Sequence, residues 1–170
     1  LELIPLPATD PLILDQLETF MTSTMGKGVV RAKDTPNFVG NRVGVFAILA
    51  VFAEAEKYKL GFDVVDALTG SKLGRAKSAT FRTSDVVGLD TLANVIRTME
   101  NGLKQDPFAA LFKVPDVLAS LISLGRLGQK TKAGFFKKEG KAVLVLNPVT
   151  KEYEPSTATI APIVDRILKK

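Results

Sequence analysis

The sequence predicts a mainly α-helical fold: a helical domain around one long buried helix, preceded by the last strands and helix of a doubly wound sheet, with a small β-hairpin near the C-terminus. Three observations predict it. The stretch 33–61, KDTPNFVGNRVGVFAILAVFAEAEKYKLG, is apolar or glycine at every position from Val43 to Ala53. A helix without a polar face is one buried on all sides. Residues 1–32 read as strand end, helix and strand, the order of a parallel βαβ fragment. Residues 142–154 hold two short strand-like runs on either side of Asn147-Pro148, a turn signal.

Taken in order, LELIP opens with alternating apolar residues, the end of a strand whose sheet lies upstream. Thr9-Asp10-Pro11 caps a helix to about Met25, which Gly26 closes, and GVVRA at 28–32 is a short strand. Thr35-Pro36 starts the central helix: the hydroxyl can accept from first-turn amides, and proline suits a position that needs no donor. With Gly61 as its stop, positions 36–60 make a rod of about 38 Å. Near its head, Asn41 needs a partner if buried, either a neighbouring loop or Asn37 one turn earlier. Gly40 and Gly44 share a face and suit close helix packing. A short helix follows at 63–68, then the basic segment 70–84. A single helix is expected from about Ser84 to Met99, with Val86, Val87, Leu89, Leu92, Val95 and Ile96 inward. Pro115 opens another at 116–124, strands follow at 142–146 and 152–154, and an amphipathic end from Ala161 groups Ile163, Val164, Ile167 and Leu168.

Composition removes several function classes. With 170 residues, 46% of them hydrophobic, the chain suits one domain, or one domain plus a fragment of another, with a real core. The absence of cysteine excludes disulfides, zinc fingers and thiol nucleophiles. The absence of histidine removes the commonest general base and the commonest metal ligand, leaving no metal site to expect. A net charge of +5, with lysines scattered and no aromatic interleaving, does not describe a nucleic-acid platform, though it could serve a phosphorylated ligand. No signal peptide and no membrane span are found, so a soluble intracellular protein of the cytoplasm is expected.

By residue type alone, few positions carry chemistry. Glu2 is a lone carboxylate in an apolar strand end. Lys72, Lys77 and Arg82 could grip phosphates, although a basic loop is more often only solvated. The glycines around Gly125 and Gly128 do not follow a strand as a phosphate loop would.

Longer motifs say more. GKGVVRAKDTPNFVGNR at 26–42 resembles the junction between the two domains of 3-hydroxyacyl-CoA dehydrogenases, with its Lys-Asp-Thr-Pro-Gly-Phe and Asn-Arg. SDVVGLDT at 84–91 resembles the family's Asp-x-x-Gly-Leu-Asp-Thr, and GQKTKAGFF at 128–136 its Gly-x-Lys-x-x-x-Gly-Phe-Tyr. LELIP matches the strand just past the family's catalytic histidine. The hairpin AVLVLNPVTKEYEP is similar to the long bacterial multifunctional fatty-acid oxidation proteins.

The resemblance implies a domain division: 1–33 as the remnant of an NAD-binding Rossmann domain, and 34–170 as a helical substrate-binding and dimerisation domain like the C-terminal domain of 6-phosphogluconate dehydrogenase. It implies an NAD-dependent oxidation of 3-hydroxyacyl-CoA to 3-ketoacyl-CoA in fatty-acid β-oxidation, by a homodimer. Glu2 matches the glutamate that orients the catalytic histidine, and Asn41 the active-site asparagine at the head of the long helix. The histidine, the active-site serine and the Gly-rich NAD loop have no counterpart, so the chain alone should be inactive. Three departures stand out. Asn37 replaces the usual glycine, Gly40 stands where a bulkier apolar residue is usual, and KSATFRT at 77–83 replaces Pro-Met-Gly-Pro-Phe-Glu-Leu. Gly88 and Asp90 read as structural. Two alternatives remain at this point, a non-catalytic helical dimerisation module and a related 6-phosphogluconate-type dehydrogenase domain.

Overall fold

The computed structural model describes residues 1–168. The chain opens with strand β1 (Glu2–Leu3), helix α1 (Pro11–Thr19) continuing as a π turn to Thr24, and strand β2 (Val30–Arg31), which runs parallel to β1 with Glu2 opposite Val30. Asp10 caps α1 as expected, accepting the Leu12 N–H at 2.9 Å. This is the βαβ fragment read from the sequence.

The central helix, α2, spans Gly40–Lys57. It starts four residues later than Thr35-Pro36 suggested, because Asn37 and Phe38 sit at φ 63° and 50°, a left-handed turn that no α-helix can continue through. Its 18 residues make it roughly 27 Å long, not 38. Lys59, at φ 52°, ends it before Gly61, which instead precedes α3 (Phe62–Thr69). The expectation of burial on all sides also fails. Val45, Leu49, Phe52 and Ala55 form one buried stripe, whereas Val43 is 62% exposed. Within these 168 residues α2 is covered on one side only.

The single helix expected near 84–99 is two. Helix α4 (Phe81–Val87) ends and α5 (Leu89–Gly102) begins at Gly88, whose φ of 96° lies where side-chain-bearing residues are strained. The break turns Val86 and Val87 outward, against expectation, while Leu89, Leu92 and Ile96 go inward. Helix α6 (Asp116–Ser123) follows, then a three-stranded antiparallel sheet in place of a two-stranded hairpin: β3 (Phe136–Glu139), β4 (Ala142–Leu146) and β5 (Tyr153–Pro155). Phe136 stands opposite Val145, and Leu146 opposite Tyr153. Helix α7 (Pro162–Leu168) is the last element; the side chain of Leu168 and residues 169–170 lie outside the described part. Ile163 and Ile167 of α7 are exposed.

The core is centred on four rings. Phe52, Phe62, Phe81 and Phe135 meet one another with centroids 4.6–5.5 Å apart, mostly edge to face, the arrangement favoured by the ring quadrupole. Around it, buried carboxylates bind loops that helices and strands leave unpaired. Asp66 accepts the N–H groups of Thr80, Phe81 and Arg82, capping α4 from another helix. Asp85 accepts those of Phe135 and Phe136. Asp63 takes the Ser156 hydroxyl and the N–H groups of Thr157 and Ala158. These donors offset part of the cost of burying the carboxylates. Among the described residues no helix is long and apolar enough to cross a membrane.

Candidate functional site

Glu2 lies half-buried at the end of β1, beside the head of α2. Its Oε1 accepts the Gly40 N–H at 2.7 Å and its Oε2 the Val39 N–H at 3.0 Å. The first amides of a helix have no partner within the helix, and an anion there is favoured by the dipole as well. The cap expected from Thr35 is thus supplied by Glu2, from across the chain. Asn41 is the next residue after Gly40. It is exposed, and its side chain makes no hydrogen bond among the described residues. Neither structural partner suggested for it is used, since Asn37 instead donates to the Val95 carbonyl at 3.0 Å. Glu2 and Asn41 therefore come together at one helix end, although 38 residues separate Glu2 from Gly40 in sequence.

One residue further, Arg42 pairs with Asp106, which sequence reasoning did not single out. The Arg42 guanidinium, with the Phe108 N–H, holds the Asp106 carboxyl below the usual carboxylate range. The pair brings the segment after α5 against α2, where the Phe108 and Phe46 rings meet tilted at 45° with centroids 4.6 Å apart. Together with Arg31, Lys33 and Val43 they line a cleft of about 490 Å³. A second cleft of about 380 Å³ continues along α2, lined by Ala47, Ala50, Val51, Leu68 and Arg75.

The basic residues are dispersed. Lys72 pairs with Asp165 of α7. Arg82 lies over the Phe136 ring, 4.0 Å from its centroid, between the buried Asp66 and Asp85. Lys77 is exposed, with no partner among the described residues. None of the three lines either cleft.

The two other motifs prove to be one structural joint. Asp85 binds the Gly-Phe-Phe turn, Leu89 donates to the Leu127 carbonyl, and Lys130 grips both Asp90 oxygens at 2.6–2.7 Å. No room is left at its glycines: a Cβ on Gly134 would lie 2.0 Å from Asp85 Oδ1, and one on Gly128 2.4 Å from the Asp85 carbonyl oxygen. Gly88 and Asp90 sit in this joint, in keeping with a structural reading. Among the described residues no cluster of His, Cys, Asp or Glu could hold a metal ion. The turn from β1 to α1, IPLPATD, contains no glycine to let backbone approach a pyrophosphate.

Comparison with known proteins agrees with this architecture. The family model described as 3-hydroxyacyl-CoA dehydrogenase, C-terminal domain, matches residues 38–138, more than half of the chain. A probable 3-hydroxyacyl-CoA dehydrogenase of Bacillus subtilis is 43% identical over 97% of this chain, and one of Deinococcus radiodurans 42% identical over 81%. The chain spans 21% and 39% of the length of these two relatives. The crystal structure of 3-hydroxybutyryl-CoA dehydrogenase from Escherichia coli superposes with a TM-score of 0.66 at 27% identity, over 84% of this chain and 30% of that one. The chain belongs to the family of 3-hydroxyacyl-CoA dehydrogenase C-terminal domains.

Proposed function

We propose that this chain is the helical portion of an NAD-dependent 3-hydroxyacyl-CoA dehydrogenase, oxidising 3-hydroxyacyl-CoA to 3-ketoacyl-CoA in fatty-acid oxidation in the cytoplasm. The observation that carries the proposal is the meeting of Glu2 and Asn41 at the head of α2. The Asn41 amide, free of protein partners among the described residues, is available to bond the reacting oxygen. The Glu2 carboxylate is fixed in direction by two amides and can orient a basic histidine as the acid of a triad does. That histidine and the NAD site belong to a portion of the enzyme outside these residues, so 1–33 serves as the edge of a Rossmann domain and 34–170 as the substrate-binding domain. Lys72, Lys77 and Arg82 are assigned to the phosphates of the CoA moiety; Lys77 is the one most ready for it, the other two having partners of their own.

The outward face of α2, with Val43, Phe46, Ala47, Ala50 and Val51 exposed or half-buried, suits self-association, and we assign it to a homodimer. The same face is what a non-catalytic dimerisation module would use. An NAD-reduction assay with 3-hydroxybutyryl-CoA separates the readings. The 170-residue chain alone should be inactive, and the longer enzyme carrying it should be active. A longer protein inactive on every 3-hydroxyacyl-CoA tried would favour the module.

A further inference from the structure

Asn41 has no side-chain bond among the described residues, so the direction of its amide is set by the backbone of the first turn of α2. That turn is weakly held from within, since Val39 supplies no side-chain cap. Its anchors come from elsewhere in the chain. Glu2 accepts the Val39 and Gly40 N–H groups, bonds directed along the helix axis, which resist rotation about that axis poorly. Arg42 supplies the lateral hold. Among the described residues it is the one side chain of the turn 40–43 with a polar contact, and it reaches sideways to Asp106. Neighbouring residues on a helix are about 100° apart around the axis, so whatever fixes Arg42 in direction fixes Asn41 as well.

Asp106 is built as the anchor of this pair. Its Oδ1 accepts the Phe108 N–H at 2.9 Å, its own N–H donates to the Leu103 carbonyl at 3.1 Å, and its carbonyl accepts the Ala109 N–H at 3.0 Å. Leu103 and Phe112, on either side, are buried in the core. The Asp106 side chain is 10% exposed against 36% for Arg42, so the carboxylate is the fixed part and the guanidinium the arm that reaches it. The approach to α2 is seated on the same stretch. The Pro36 ring lies on the bare backbone of Gly102, where a Cβ would be 2.8 Å from the Pro36 Cγ.

We propose that Asp106 is a positioning residue: through Arg42 it fixes the rotation of the head of α2, and with it the direction in which Asn41 presents its amide. The proposal rests on the dehydrogenase reading for its kinetic consequence, though not for its geometry. Asp106 touches no reacting group; its effect on rate passes through Asn41. Misplacing a reacting partner by about 1 Å costs up to about a hundredfold in rate, and loss of the ion pair loosens the turn that carries the amide. Asp106→Asn removes the charge but keeps an oxygen for the Phe108 N–H, so the loop stays folded while the hold on Arg42 is lost.

The experiment has two arms. The longer enzyme is assayed as wild type, Asp106→Asn, Asn41→Ala and the double variant. Asp106→Asn should lower kcat by roughly tenfold with KM unchanged, a smaller loss than that of removing the Asn41 amide itself. In the Asn41→Ala background the same substitution should have no further effect, because its route to the reaction is gone. Equal losses in both backgrounds would overturn the proposal and leave Asp106 merely structural; an unchanged kcat in Asp106→Asn would also overturn it. Should Asp106→Asn not fold, Arg42→Met gives the same test from the other side of the pair. The second arm is independent of catalysis. In the 170-residue chain, the NMR signals of the Asn41 side-chain amide should shift in Asp106→Asn while those of the core remain in place. Unmoved Asn41 signals would refute the coupling. A wild-type enzyme without dehydrogenase activity would reject the functional reading alone, leaving this arm to decide whether Asp106 orients Asn41.

Discussion

Asp85 holds Phe135 by accepting its backbone N–H at 2.9 Å, across 50 residues of chain, with the Phe136 N–H on its other oxygen at the same distance. Burial pushes the Asp85 carboxyl up to about 6, the charge of Asp66 adding to it, while the two amides and Arg82 pull it back. A carboxyl raised in the folded state favours folding when protonated. Its contribution is complete below the unfolded value of 3.8 and is lost as pH rises through about 6. The span corresponds to at most about 3 kcal/mol. Urea midpoints should therefore fall between about pH 5 and pH 7 in the wild type and fall less in Asp85→Asn. Equal slopes would refute the assignment.

Gly134→Ala should be among the most damaging single changes. The new methyl would meet Asp85 Oδ1 at 2.0 Å and the Gly128 Cα at 2.7 Å, and backbone on one side cannot yield. A loss of about 3 kcal/mol or more is expected from overpacking and the broken carboxylate clamp. Gly44→Ala is the control: with open space around it in mid-helix, it should gain roughly 0.5–1 kcal/mol. Chemical denaturation of both variants checks the contrast.

Asn41→Ala should leave stability within about 0.5 kcal/mol, because the side chain is exposed and bonds nothing among the described residues. In the longer enzyme, kcat should fall by roughly a hundredfold if the amide stabilises the reacting oxygen. A melting curve and a kcat measurement on the same preparation suffice. Full activity would remove Asn41 from the site.

Ala50→Asp tests the outward face of α2. A helix buried on all sides would not survive this charge, yet Ala50 is only half-buried and lines the second cleft. The variant should fold, with a modest loss of stability, and sediment as a monomer where the wild type dimerises. Loss of folding would mean that the helix is enclosed within one chain.

Much of the fold was legible because local signals and packing agreed. Asp10-Pro11 starts α1, Pro115 precedes α6, and residues 142–146 form β4 as their apolar run suggests. The misreadings have physical causes. Thr35-Pro36 is a sound start signal, but Asn37 and Phe38 adopt left-handed backbone, a turn tied down by the bond from Asn37 to the distant Val95 carbonyl and by the Phe38 N–H donating to the Thr35 carbonyl. At Gly88 the apolar periodicity ran straight through a break, since Val86 and Val87 are as apolar as the residues that do turn inward. The apolar run of α2 suggests enclosure, whereas among the described residues only the Val45, Leu49, Phe52 and Ala55 stripe is buried and the opposite face is exposed or half-buried. At the candidate site, the motifs marked Glu2 and Asn41, but nothing in one dimension says that a carboxylate on the first strand caps a helix beginning at Gly40. The partner of Arg42 was equally hidden, because Asp106 lies 64 residues away in a loop.

The buried aspartates have a consequence for motion. Segments 80–82, 135–136 and 157–158 lie at the ends of regular elements or beyond them, where amide hydrogens normally exchange with solvent quickly. Here those N–H groups end on Asp66, Asp85 and Asp63, carboxylates less than a tenth exposed. Exchange at these amides waits on the release of a charge-assisted bond from the interior, so the slow-exchanging set should extend beyond the helices to these three loop ends. Rigidity in this domain follows the carboxylates as much as the secondary structure.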